Sequence, residues 1–165
     1  MEIRNVNLED AAQVAEIYNY YIKNTSQTFE TEVLSADEML ERIAEVSADY
    51  SYLVAEEGGE IFGYAYATQF KMRQAYEFSA EVSIYVKADA KQRGIGTLLY
   101  TKLFDELADT DIHTLIAGIS LPNDTSIRFH EKKGFSKVAH FREVGYKLGR
   151  WIDVGYWELL NRFND

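Results

Sequence analysis

Between Ala80 and Leu99 the chain reads AEVSIYVKADAKQRGIGTLL, and its residue types can do chemistry at two places. The turn Lys91-Gln92-Arg93-Gly94-Ile95-Gly96 links an alternating strand to an apolar helix. Unbonded amides of a first helical turn, together with the helix dipole, favour an anion there. Gly94 and Gly96 let the backbone approach phosphate oxygens without a Cβ in the way, and Lys91 and Arg93 can add charge-assisted contacts. Upstream, Glu81 puts a carboxylate on the strand, facing opposite to Val82, Ile84 and Val86.

The chain of 165 residues carries 27 acidic and 17 basic side chains, a net charge of −10. A broad nucleic-acid face or an anionic membrane surface needs the reverse balance, whereas a local basic nest for a small anion is compatible with it. Two familiar phosphate loops do not fit. A Walker loop requires Gly-Lys-Ser/Thr after a spaced glycine, and the dinucleotide fingerprint requires a third glycine where Leu99 stands. An ordinary strand-to-helix turn remains the alternative. Cysteine is absent, which excludes disulfides and thiolate chemistry. His113 and His140 lack metal-ligand spacing, so no metal is expected.

The elements that position these residues are legible in outline. Asn7 is expected to cap a helix to about Asn24, with Leu8, Ala11, Ala15, Tyr18 and Ile22 at helical spacing. Ser35-Ala36-Asp37-Glu38 is a capping box for a second helix. A hairpin turns at Gly58-Gly59. Leu99, Leu103 and Leu107 give the helix after the glycine turn one apolar face. TLIAGIS reads as a short buried strand. NDTSIRFHEKKGF is a helix capped by Asn123 or Asp124 and stopped at Gly134, and two β-prone runs flank Gly149. Helices first, then strands interleaved with two helices, indicate a mixed α+β sheet. The acidic, polar start and the lack of a long apolar run predict a cytoplasmic protein.

Three stretches in order, AEVSIYVKADAKQRGIGTLLY, ISLPNDTSIRFHEKKGF and VGYKLGRWIDVGYWEL, resemble the GNAT acyltransferase superfamily. With IYNYYIKNTSQTFE and GYAYATQFKMRQAY they resemble its phosphinothricin N-acetyltransferase group, whose members acetylate phosphinothricin, methionine sulfoximine or methionine sulfone. The resemblance covers nearly the whole chain. It implies one domain over 1–165, an α/β sandwich with a mixed, mostly antiparallel central sheet flanked by helices, acetyl-CoA as acetyl donor, and a homodimer.

The resemblance also implies roles for residues. Lys91, Gln92, Arg93, Gly94, Ile95 and Gly96 would hold the coenzyme pyrophosphate, although many superfamily members have Gln or Arg where Lys91 stands. Backbone groups of Ile84, Tyr85 and Val86 would pair with the pantetheine arm as an added strand, and Asn123 would contact the coenzyme near the end of that arm. Glu81 matches the group's general base; on residue type alone it reads as a surface glutamate on a half-exposed strand, and the match reverses that reading. Where most superfamily members place a tyrosine, this chain has His130, as the phosphinothricin group commonly does. The general acid is then His130, Ser126 or water, and His130 reads equally as a helix residue pairing Glu131 or a backbone carbonyl.

Arg73 matches the arginine that grips the substrate carboxylate, with Tyr76 nearby. Phe29 and Glu30 resemble the residues walling the other side, or else serve as core and solvated charge; Lys147 is a weaker candidate. Two other readings stay open: a GNAT enzyme acting on a cationic amine or a protein amino terminus, which suits the acidic surface but gains nothing from Arg73, and a non-catalytic acyl-CoA-binding module that would not need Glu81.

Overall fold

Asp10 decides where the first helix begins. Its carboxylate accepts from the Arg4 guanidinium at 2.7 and 2.9 Å and from the Asn7 amide at 2.7 Å. This knot holds Leu8–Asp10 in a 3-10 turn, so α1 spans Ala11–Asn24 instead of starting directly after Asn7. α2 (Ala36–Asp49) keeps the expected capping box: Ser35 Oγ accepts from the Glu38 amide at 3.2 Å, and the Glu38 carboxylate accepts from the Ser35 amide at 2.7 Å. β2 (Tyr52–Glu57) and β3 (Glu60–Gln69) are joined by Gly58 and Gly59 at φ 63° and 84°. Two successive left-handed residues match the twist of a hairpin, and glycine adopts them without a Cβ penalty.

The computed structural model describes residues 1–90 and 93–160, so Lys91 and Gln92 of the glycine turn lie outside the described residues. Seven strands follow the order β1-β2-β3-β4-β5-β7-β6 in a mixed sheet. β1 is Glu2–Asn5, β4 Ser79–Val86, β5 Thr114–Leu121, β6 Ser136–Lys147 and β7 Arg150–Leu160. β1 pairs β2, β2 pairs β3, β5 pairs β7 and β6 pairs β7, all antiparallel, while β4 pairs β5 in parallel over Ser79–Glu81 with Thr114–Ile116. The expected mixed, mostly antiparallel sheet with helices is present.

The chain forms two compact units. Unit 1 comprises Met1–Tyr20, Val33–Thr68 and Val82–Asp111. In it α3 (Ile95–Ala108) packs on β1 and β2 and buries Ile95, Leu99, Leu103 and Leu107, each at most 2% exposed. Burial of such side chains contributes about 1.5–3 kcal/mol apiece, which fixes the helix that carries the glycine turn. The alternation expected along β4 weakens after Val82: Ile84 and Val86 are half-buried, and so is Tyr85. The Tyr85 ring is covered from its own face, edge-on to Tyr18 at 5.1 Å and stacked on Tyr64 at 5.4 Å.

Unit 2 comprises Tyr21–Glu32, Gln69–Glu81 and Ile112–Asp165. β5 buries Leu115, Ala117 and Ile119 on one face and turns Ile116, Gly118 and Ser120 to the other. α4 (Asp124–Lys132) follows β5 closely, with Asn123 as its cap and Gly134 at φ 96° just past its end.

Candidate active site

A cavity of about 400 Å³ opens on the second face of the unit 2 sheet. Its floor comes from alternate residues of neighbouring strands: Glu81 of β4, Gly118 and Ser120 of β5, Val154 and Tyr156 of β7, and Phe141 of β6. The registers Gly118↔Tyr156, Ser120↔Val154 and Phe141↔Val154 put these side chains on one face. Glu81 and Tyr156 meet over Gly118. A Cβ placed on it would lie 3.4 Å from both Glu81 Oε1 and Tyr156 Cε1.

Glu81 is half-buried, and this burial raises its pKa above the ordinary glutamate range. A carboxylate in that state binds a proton more avidly than a solvated one, which suits a general base. Burial, and next the Glu81 charge, raise the Tyr156 phenol as well, so it stays protonated.

The other wall is the segment after α1. Thr25 Oγ1 donates to the Tyr21 carbonyl at 2.9 Å and accepts from the Gln27 amide at 3.1 Å; Thr28 Oγ1 accepts from the Glu30 amide at 3.3 Å. These local bonds shape the loop and set Ser26, Gln27 and Phe29 along the cavity. Lys147, 5% exposed, donates to the Thr28 carbonyl at 2.7 Å and so ties the loop to β6. Burial lowers its pKa, opposed by Glu30. Where the Phe29 ring crosses β6 the strand has Gly145, whose Cβ would come within 2.3 Å of the ring. β6 bulges just before it: residues 142–144 stand opposite Asp153 alone. The Asp153 carboxylate holds the bulge, accepting from the Glu143 amide at 2.8 Å and bonding His140 Nε2 at 2.7 Å. The bulge turns Val144 toward the cavity beside Phe141.

On α4, Asn123 Oδ1 accepts from the Ser126 amide at 3.1 Å. His130 is 4% exposed, edge-on to Phe129 and Phe135, and its Nδ1–H donates to the Ser126 carbonyl at 2.8 Å. Burial lowers its pKa, against that hydrogen bond, and so favours the neutral ring. This is the backbone-carbonyl pairing that the sequence left open; Ser126 Oγ sits 3.3 Å from the same nitrogen.

In unit 1, Gly94 caps α3 in the left-handed region at φ 77°, and among the described residues beyond its chain neighbours no atom stands within 4 Å of where a Cβ would be. Its carbonyl accepts from the Thr97 and Leu98 amides at 3.0 and 3.2 Å, so the amides of Ile95 and Gly96 precede the first intrahelical bonds. That open, amide-lined end fits a pyrophosphate. Arg93 is exposed, pairs with Glu57 at 2.9 Å and lies over the Phe62 ring at 4.7 Å.

Of the substrate candidates, Phe29 lines the cavity with Glu81; Glu30, Arg73 and Tyr76 are not among its lining residues. Arg73 is exposed at the start of the 3-10 turn Gln74–Tyr76, and Lys71 stands over the Phe70 and Tyr76 rings at 5.1 and 5.2 Å. Gly118, Ser120, Tyr156 and the β6 bulge were not singled out from sequence. The signal for the first two was the period-2 pattern of TLIAGIS, whose second face carries a glycine and a serine. Among the described residues no group of three or more His, Cys, Asp or Glu side chains could hold a metal, and no helix is long and apolar enough to cross a membrane.

Residues 3–155 match the family model described as an acetyltransferase (GNAT) domain. A phosphinothricin N-acetyltransferase of Streptomyces coelicolor is 40% identical over 91% of this chain and 90% of its own length. An L-methionine sulfoximine/L-methionine sulfone acetyltransferase of Salmonella typhimurium is 32% identical over 96% and 94%. A crystal structure of a GNAT superfamily phosphinothricin acetyltransferase from Sinorhizobium meliloti, in complex with AcCoA, superposes with a TM-score of 0.92 at 32% identity, covering 96% of this chain and 87% of the other.

Proposed function

The chain belongs to the GNAT acetyltransferase family, and from that premise we propose that it transfers acetyl from acetyl-CoA to the α-amino group of a small amino acid of the phosphinothricin, methionine sulfoximine or methionine sulfone kind. The observation that carries the reading is the half-buried carboxylate of Glu81 in a cavity of about 400 Å³, a size that suits one small molecule.

Acetyl-CoA supplies a thioester-activated acetyl group. An amine attacks it only when neutral, and Glu81 takes the ammonium proton directly or through one water. The amine nitrogen then bonds to the acetyl carbon and gives up its second proton to water, the carbon–sulfur bond breaks, and the sulfur leaves as thiolate. For the thiolate proton, water fits better than His130, because the His130 Nδ1–H is committed to a carbonyl and burial favours the neutral ring; Ser126 is the other side-chain candidate. Backbone N–H groups of the Ile84–Val86 segment are assigned to the pantetheine arm and the developing oxyanion. Arg93, Gly94, Ile95 and Gly96, with Lys91 and Gln92, are assigned to the pyrophosphate, and Asn123 to the end of the arm. Arg73 and Tyr76, on an exposed segment, are assigned to the acceptor carboxylate, with Phe29 and Glu30 on the opposite wall.

A free-thiol release assay with acetyl-CoA tests the reading against phosphinothricin, methionine sulfoximine, methionine sulfone, spermidine, an aminoglycoside and a short peptide. Turnover is expected with the first three. Turnover confined to the cationic amines or the peptide contradicts it.

The same reading takes residues 1–165 as one acetyltransferase domain working in the cytoplasm as a homodimer. Support for the dimer comes from the β6–β7 hairpin, where Val138, Phe141, Val144, Tyr146, Leu148 and Trp151 are 51–62% exposed; large apolar side chains clustered on one hairpin are a common mark of a protein–protein contact. Analytical ultracentrifugation is expected to give twice the 19.0 kDa chain mass; a monomer at micromolar concentration contradicts the dimer.

A further inference from the structure

Ser120 is 8% exposed and lines the cavity, yet its Oγ has no hydrogen-bond partner among the described residues. Buried hydroxyls are nearly always bonded, and an orphan one carries a desolvation cost. In its present rotamer the oxygen has less than 1 Å² of accessible surface, so a water molecule cannot satisfy it there. Rotation about χ1 breaks no hydrogen bond, and serine has three staggered positions. Ser120 itself lines the cavity, so a change of χ1 is the movement that would carry its oxygen to a polar group bound there.

The position along the strand then defines what it would meet. Ser120 lies two residues beyond Gly118 on the same face, roughly 7 Å along the strand. Glu81 Oε1 sits over Gly118. An acceptor amine held at Glu81 has its own carboxylate oxygens only ~3 Å away, too near to reach Ser120. The third atom of an extended side chain, four bonds from the amine, is roughly 5 Å from it, and an oxygen on that atom adds about 1 Å more. Apolar walls from Phe29, Val154 and Phe141 flank the path between the two points. They suit a methylene chain, with one polar demand at its end.

We infer that Ser120 is a specificity-determining residue: its hydroxyl binds an oxygen or nitrogen at the far end of the acceptor side chain and selects polar-tailed amino acids over apolar ones of equal length. This rests on the acetyl-transfer reading of the cavity. A site built around a hydrogen bond rejects the analogue lacking the partner far more strongly than an apolar pocket rejects a size change.

The test compares methionine sulfone with methionine as acceptors for the wild-type protein and Ser120→Ala. Specificity constants are measured by thiol release, affinities by calorimetry with coenzyme A present, and Tm by thermal unfolding. In Ser120→Ala the preference for the sulfone is expected to fall about tenfold, with Tm equal to or above that of wild type, since an unpartnered hydroxyl has been removed. An unchanged preference overturns the inference. So does an equal loss for both acceptors together with a lowered Tm, which would mark a structural hydroxyl. A calorimetric preference for the sulfone that Ser120→Ala erases, with no turnover by wild type, sustains the inference and refutes acetyl transfer; no binding of either amino acid refutes both.

Discussion

Replacing Glu81 by Gln is expected to lower kcat on the order of 10²–10⁴-fold, the range for loss of a positioned general base, with little change in the KM for acetyl-CoA. The amide keeps the shape of the side chain and its place over Gly118 but cannot accept the ammonium proton. A coenzyme-binding module without catalysis would be indifferent to the change. The pH dependence follows from the raised pKa of Glu81, whose cause is burial. Only the ionised form acts as a base, so an upward shift moves the loss of activity on acidification to higher pH than an ordinary glutamate would give. That limb is expected to vanish in Glu81→Gln, while the limb from protonation of the acceptor amine persists. Persistence of both limbs with an undiminished rate would assign the base elsewhere.

Gly145→Ala is the second change with a large expected effect. The new Cβ would lie 2.3 and 2.4 Å from two atoms of the Phe29 ring, well inside van der Waals contact, so the ring must move by about 1 Å. Gly145 is not at positive φ, so the backbone itself accepts alanine and the strain falls on the wall of the cavity. A displacement of that size at a substrate-positioning residue costs about 10²-fold in rate. The expected loss is in kcat/KM for the amino acid, with the KM for acetyl-CoA little changed. In a Phe29→Ala background the same substitution is expected to be nearly silent, because the partner of the clash is gone. Wild-type kinetics for the Gly145→Ala single variant would mean that the Phe29 wall does not shape the acceptor site.

What the sequence conveyed well was whatever local chemistry decides. The Ser35–Glu38 capping box, the Gly58-Gly59 turn and the leucine stripe of α3 depend on neighbours a few residues apart, and each stands where the pattern puts it; of the two caps the sequence allowed for α4, the structure uses Asn123. The start of α1 slipped because Arg4, on a strand, reaches Asp10 and tightens the first turn. The cavity floor was harder to see. TLIAGIS looks like a uniformly buried strand until β7 supplies Tyr156 and Val154 beside Gly118 and Ser120. The β6 bulge depends on the Asp153 carboxylate across the hairpin, and the pairing of Phe29 with Gly145 joins residues more than a hundred positions apart. The place of Glu81 on its strand was legible from the alternation, but its role as base came only through resemblance, since a strand glutamate carries no local sign that its surroundings will be half-buried.

A crystal structure of Glu81→Gln with coenzyme A and methionine sulfone is the most direct measurement of where the acceptor amine sits. The predicted result is electron density for the amino acid in the unit 2 cavity, with its nitrogen at hydrogen-bond distance from the residue 81 side chain or one water away. Density that places the amine outside that reach, or an amino acid bound elsewhere on the protein, would contradict the assignment of Glu81 as the group that receives the proton.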